Sequence, residues 1–313
     1  MTGAIDRLGL PPERWADVDG PVHYREWPGP AGEPVFVLVH GLAGSLLNWA
    51  LVAPRLAERG RTIALDLAGF GLTPPEGRGT SVGSSWRLLD GFLRALKLPP
   101  VILVGNSMGG MVSLIQAAHH PRSVERLLLV DAAFPRTNRL AGQFSPGVAA
   151  LFAVYAANRR LSERFVAARA RRLGAEGLVR ETLRLVATDP TRIDPALVEA
   201  LIELARRREG FPHASEAFLN AARSIFRAQV RPGPYRRLVQ QVRTPALVTH
   251  GARDRLVPVE AAREAARFHP NWRLVVFGDL GHVPQMEAPT LWLDAVSSWL
   301  DEAPADSEGE AAG

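Results

Sequence analysis

The chain contains no cysteine. Disulfides, thiolate zinc sites and cysteine nucleophiles are therefore excluded, while redox compartment is left open. Lysine is almost as scarce: Lys97 is the only one, so the net charge of +5 rests on arginines scattered among acids. The runs Arg159-Arg160, Arg171-Arg172 and Arg206-Arg207-Arg208 read as solvated helix faces. No basic stripe carries interleaved aromatics, so nucleic acid is not an expected partner. Long apolar runs are missing too. The longest, Gly147–Ala157, is too short to cross a bilayer, and Met1–Trp15 has acids and prolines but no apolar core. The expectation is a cytoplasmic protein without stable membrane insertion. There is no Gly-x-x-x-x-Gly-Lys, Gly69-Phe-Gly71 is too short and misplaced for dinucleotide binding, and no residue cluster has metal-ligand spacing. No cofactor and no metal are expected.

What is present is enough apolar material, 47% of 313 residues, for a sizeable core. Trp15–Trp27 reads as a hairpin turning at Asp19-Gly20. Val35–Val39, Thr62–Leu65, Val101–Val104 and Arg126–Val130 read as strands, and so do Ala246–His250 and Arg273–Phe277. Helical stretches lie between them, such as Leu51–Arg59, Ser84–Lys97, Glu260–Phe268 and Thr290–Leu300. That alternation predicts an α/β fold, a mostly parallel sheet with helices on both faces. From about Arg136 to Gln240 strand signals stop. The pairs Asp189-Pro190 and Asp194-Pro195 each place an N-cap before a proline at the first helical position. An all-helical insertion over the strands' C-terminal ends is expected there, where ligands bind in such sheets. The expected organisation is a core of residues 1–136 and 241–300, an inserted cap of 137–240, and a disordered acidic tail of 301–313.

The stretch Val101–Gly110 carries the strongest chemical signal. An apolar strand feeds Gly105-Asn-Ser-Met-Gly109, and the residues after it, Met111–His120, read as a helix. That context makes Gly-x-Ser-x-Gly a nucleophile elbow, with Ser107 Oγ projecting from the top of the sheet. Gly105 and Gly109 relieve the clashes of so tight a turn. A serine hydroxyl attacks only if a histidine takes its proton and an acid orients that histidine. Candidates follow downstream: Asp254 in Gly251-Ala-Arg-Asp254, then His282 in Gly278-Asp-Leu-Gly-His282. Asp131, at the end of strand Arg126–Val130, is a second candidate acid. Asp279 lies too near His282 in sequence. The developing oxyanion needs hydrogen-bond donors, and the helix start behind the serine offers the Met108 N–H.

Five landmarks in order, His40-Gly-Leu-Ala-Gly-Ser45, Asp66–Thr73, Gly105–Gly110, Gly251–Asp254 and Gly281–Glu287, resemble the α/β-hydrolase fold superfamily with a helical cap. The resemblance implies a serine hydrolase with the triad Ser107, Asp254 and His282, and a second oxyanion donor at the N–H of Leu42. It implies cleavage of carboxylic esters, short-to-medium acyl or aryl, through an acyl-enzyme intermediate, with a small-molecule ester as the partner. Serine at 107 sets the chain apart from dehalogenases and epoxide hydrolases, which use an aspartate there. Gly105-Asn-Ser-Met-Gly-Gly110 also resembles the carbon–carbon hydrolases of meta-cleavage products. Those typically carry tryptophan after the histidine, where this chain has Val283. A ligand-binding member without catalysis is a third reading. Trp49, Phe134, Phe144, Phe152 and Tyr155 could line an acyl pocket, though each is also an ordinary core aromatic. His40 and His250, beside glycines at strand ends, read as loop braces.

Overall fold

The apolar runs that the sequence brackets with glycine or aspartate become strands, and their burial explains why they alternate so little. The computed structural model describes residues 3–135, 154, 155 and 158–302. Eight strands form one sheet: β1 Arg14–Asp17, β2 Pro21–Trp27, β3 Val35–Val39, β4 Thr62–Leu65, β5 Val101–Asn106, β6 Val124–Val130, β7 Ala246–Gly251 and β8 Trp272–Phe277. Their spatial order is β1-β2-β4-β3-β5-β6-β7-β8. The β1–β2 and β2–β4 pairs are antiparallel and all the others parallel. The hairpin turns where expected, with Asp19 and Gly20 both at positive φ. Every residue of β3, β4, β5 and β7 is buried, as a parallel sheet covered on both faces requires.

The two faces can be read along β3. Val35, Val37 and Val39 join Leu89, Phe92 and Val112 in one apolar cluster. Phe36 and Leu38 point the other way, into a cluster with Leu56, Trp292 and Val296. The helices that cover these faces include α1 Ala4–Arg7, α2 Ala53–Ala57, α3 Val82–Ala95 and α4 Met108–His119. Helix α3 starts at Ser81, whose hydroxyl accepts the Ser84 N–H at 3.2 Å, and buries Leu88, Leu89, Phe92 and Leu93 on one stripe. Helix α4 begins directly after Ser107, three residues before the start expected from sequence. The glycines at its first turn hide that start from a propensity reading.

Between β6 and β7 the described residues form helices and no strand. These are Arg159–Val186, broken at Gly174 (φ 62), then Pro195–Arg207, Ala214–Val230 and Pro232–Gln241. Asp194 accepts the Ala196 N–H at 2.7 Å, and Asp189 accepts that of Thr191 at 3.0 Å, so both Asp-Pro signals are helix caps. These helices reach the loops at the C-terminal ends of the strands. The Arg208 guanidinium donates to the carbonyls of Gly69 and Gly71, and Val82 N–H donates to Ser224 Oγ at 2.9 Å. Tyr235 and Val239 already belong to the sheet's own core, so the chain has rejoined that layer by the helix Pro232–Gln241. At the other end, Asp301 closes the helix Pro289–Asp301 and pairs with Arg59 at 2.6 Å, while 303–313 lie outside the described residues. Among the described residues no helix is long and apolar enough to cross a membrane.

Candidate active site

Ser107 sits at the N-cap of α4 with φ 56 and ψ −115, a backbone conformation that L residues rarely adopt. Surrounding contacts hold it there. Ser107 N–H donates to Val130 O at 3.0 Å, and Ser107 O accepts the N–H groups of Met111 at 3.1 Å and Ala133 at 3.0 Å. A Cβ on Gly105 would lie 2.6 Å from the Gly109 backbone, and one on Gly109 would lie 2.1 Å from Val39 O. Strand, turn and helix can close this tightly only without those carbons. The result leaves Ser107 half-buried between buried neighbours, and its hydroxyl makes no hydrogen bond to the described residues.

The loop after β3 lies beside the serine. A Cβ on Gly41 would stand 3.0 Å from Ser107 Cβ, so Gly41 lets the main chain pass close to the turn that bears Ser107. Gly44 N–H donates to Gly41 O at 3.1 Å, closing a turn through Leu42 and Ala43 (φ 59). His40 braces this loop: its Nδ1 meets Gly41 O at 2.8 Å and its Nε2 accepts the Leu67 N–H at 3.0 Å. Burial pushes the His40 imidazole below its ordinary range, in keeping with this neutral, doubly bonded ring. Asp66, directly after β4, holds the same region. Its carboxylate accepts Leu46 N–H at 2.7 Å and Leu72 N–H at 2.8 Å, and meets His23 Nδ1 at 2.7 Å. Met108 is the first residue of α4, so its N–H has no acceptor inside the helix.

His282 is 4% exposed, and its Nδ1 lies 2.6 Å from Asp254 Oδ2. Asp254 Oδ1 accepts the backbone N–H groups of Leu256 at 2.7 Å and Val257 at 3.1 Å. Burial alone would push this carboxyl up. The His282 imidazole, His250 and the Leu256 N–H outweigh it and hold Asp254 below the ordinary carboxylate range. Asp131 is also buried nearby, at φ 44 after β6, but its Oδ1 accepts the Gly251 N–H at 2.9 Å rather than meeting His282. Asp131, His250 and Asp254 offer ligand atoms within 4.8 Å of one another. Asp254 already serves His282 and two amides and His250 Nε2 faces Val257 O at 2.9 Å, while Asp131 Oδ2 and His250 Nδ1 have no partner.

The bonds that tie the histidine loop in place come from Asn106, the His282 main chain and Glu287, and none had a sequence signal. Asn106, next to the serine, donates from Nδ2 to His282 O at 3.1 Å and to Val130 O at 3.0 Å. His282 N–H donates to Val186 O at 2.6 Å. Glu287 accepts the N–H groups of Gly281 at 2.9 Å, Thr188 at 3.1 Å and Asp189 at 2.9 Å, locking the histidine loop to the helical excursion. Asn106→Ala would strand the buried His282 carbonyl, while Val130 O keeps the Ser107 N–H, and an equilibrium urea titration is expected to show a loss of roughly 1–3 kcal/mol. An unchanged midpoint would mean that the amide bonds contribute nothing.

Of the aromatics named from sequence, Tyr155 comes near the site. It packs edge-on against Phe218, ring centroids 5.0 Å apart, in a cluster with Leu219 and Ala222 against which Leu42 also packs. Trp49 and Phe134 sit in the two core layers, 0% and 1% exposed, the latter 6.1 Å from the Trp272 ring. Phe144 and Phe152 lie outside the described residues.

Comparison with known proteins agrees with this architecture. The model of the alpha/beta hydrolase fold family matches residues 34–289. The chain belongs to that family. It is 31% identical over 285 residues to a 2-hydroxy-6-oxo-2,4-heptadienoate hydrolase of Pseudomonas putida, covering 86% of this chain and 90% of the relative. It is 29% identical over 288 residues to a 2-hydroxymuconate semialdehyde hydrolase of Pseudomonas sp., covering 88% and 89%. Among solved structures it is similar to a membrane phospholipase A described as a bacterial virulence factor. That likeness has 27% identity and a TM-score of 0.72, over 95% of this chain and 88% of the other.

Proposed function

We propose that this α/β hydrolase cleaves carboxylic esters through an acyl-enzyme on Ser107. The observation that carries the reading is the His282–Asp254 contact of 2.6 Å, on a loop that Asn106 ties to the elbow bearing Ser107. In this mechanism His282 Nε2 takes the Ser107 proton as Oγ attacks the carbonyl carbon. The N–H groups of Met108 and Leu42 stabilise the oxyanion, aided by the positive end of α4. The tetrahedral intermediate collapses, His282 gives its proton to the leaving alcohol, and a water activated by the same imidazole releases the acid. Asp254 holds the imidazole with its proton on Nδ1.

The helices between β6 and β7 serve as a cap in this reading, and the Tyr155, Phe218, Leu219 and Ala222 cluster forms the acyl wall beside Leu42. Such a wall buries acyl methylenes at about 0.8 kcal/mol each, so kcat/KM is expected to rise about fourfold per CH₂ until the wall is covered. A p-nitrophenyl ester series from acetate to decanoate measures that slope. A rate independent of chain length would remove the acyl wall from the reading.

A second reading has its own support. Two relatives are named as hydrolases of a hydroxy-oxo-dienoate and of 2-hydroxymuconate semialdehyde, which points to carbon–carbon cleavage next to a ketone on the same three residues. Buried Val283, 3% exposed, stands where the sequence resemblance leads one to expect tryptophan in such enzymes, and favours the ester. One preparation assayed with both substrate types separates the two. Fast dienoate cleavage with negligible ester turnover would select carbon–carbon hydrolysis, and no turnover of either would select ligand binding.

A further inference from the structure

Asp131 is a fully buried acid that the mechanism above does not use. Its two oxygens are unlike. Oδ1 accepts the Gly251 N–H at 2.9 Å, with His250 Nε2 more distant at 3.6 Å, whereas Oδ2 has no partner. His250 cannot supply a charge for it. The His250 Nε2–H is directed at Val257 O, 2.9 Å away, and Nδ1 is unpartnered, which is a neutral ring. The titratable groups facing Asp131 are His250 on β7, Asp254 on the loop after β7 and Glu287 beyond β8, two of the three acidic. No arginine or lysine is among them.

Asp254, in contrast, has room for one more donor. Its Oδ1 takes two backbone amides and its Oδ2 takes His282 Nδ1. His250 Nε2 stands 3.5 Å from Oδ2 but directs its N–H at Val257 O, which leaves a lone pair on Oδ2. Asp131 and Asp254 offer oxygens within 4.8 Å of one another. We propose that Asp131 carries a proton at neutral pH and donates it from Oδ2 to the Asp254 carboxylate, so that the two acids share one negative charge. The unpartnered oxygen then becomes the donor that the pair needs. Burial, followed by the neighbouring Asp254 charge, pushes the Asp131 carboxyl well above its ordinary range, in keeping with that geometry. Asp131 is thus a positioning residue. It fixes the free edge of Asp254 and moderates the pull of that carboxylate on His282, a consequence that rests on the proposed function, whereas the shared proton does not.

Infrared spectroscopy at pH 8 tests the proton without any substrate. The wild-type protein is expected to show a carboxylic-acid C=O band that moves on ¹³C-aspartate labelling and is lost in Asp131→Asn. The second measurement is the pH dependence of Ser107 labelling by a fluorophosphonate. Asparagine keeps both bonds, accepting from Gly251 and donating to Asp254, so the acid limb should stay within about 0.3 pH unit of wild type. Asp131→Leu removes the donor and should move that limb upward. Absence of the band in the wild type would overturn the proposal. So would a downward move of about one unit or more in Asp131→Asn, the mark of a removed negative charge. Failure to label Ser107 at all would count against the proposed function and leave the infrared result standing.

Discussion

Ser107→Ala is expected to abolish turnover, with kcat falling by about 10⁶, while the protein still folds. The folding half follows from the backbone. The Ser107 N–H and C=O carry the local hydrogen bonds to Val130, Met111 and Ala133, and alanine retains all of them. The unusual φ of 56 strains serine and alanine alike. The catalytic half follows from the hydroxyl. It is free of hydrogen bonds to the described residues, half-exposed, and placed where strand β5, the loop after β3 and the histidine loop converge. A fluorophosphonate probe should modify Ser107 and no other residue, read by peptide mass spectrometry. Activity retained in the alanine variant, or a label elsewhere, would show that the nucleophile has been misassigned.

Asp254→Asn is expected to cost about 10⁴ in kcat, by a mechanism that the local hydrogen bonds make specific. The amides of Leu256 and Val257 donate to Oδ1, so the asparagine carbonyl must stay there. Its NH₂ group is then turned toward His282 Nδ1, which lies 2.6 Å from Oδ2 in the native carboxylate. A donor at that place forces Nδ1 to accept, moves the ring proton to Nε2, and removes the base from the serine. Asp131→Asn should lose far less, within about tenfold, because Asp131 meets the Gly251 N–H instead of the imidazole. Steady-state kinetics on the two variants side by side compare them. A reversed order would place the catalytic acid on the earlier strand.

Much of this site is legible in the linear chain because each part depends on local geometry. Gly105-x-Ser-x-Gly109 states its own reason: any other residue at those two positions would drive a Cβ into backbone 2.6 or 2.1 Å away. The strands are legible because residues buried on both faces must be apolar throughout, as in Val35–Val39 and Val101–Val104. The helix caps at Asp189 and Asp194 are local as well, since each side chain bonds an amide two residues on.

What the linear chain leaves open is decided over long separations. Asp131 and Asp254 stand at comparable strand ends, and only the packing of the loops after β7 and β8 brings one of them to His282 Nδ1. The bonds from Asn106 to His282 O, from His282 N to Val186 O, and from Glu287 to Thr188 and Asp189 join residues about 100 or more apart. The contact of Tyr155 with Phe218 is of the same kind, since it joins residues remote from each other in the chain. The sequence by its local stereochemistry determined strand, elbow and cap. Tertiary packing alone chose the acid's partner and closed the histidine loop, since hydrogen-bond partners distant in sequence are selected only once the sheet has brought them together.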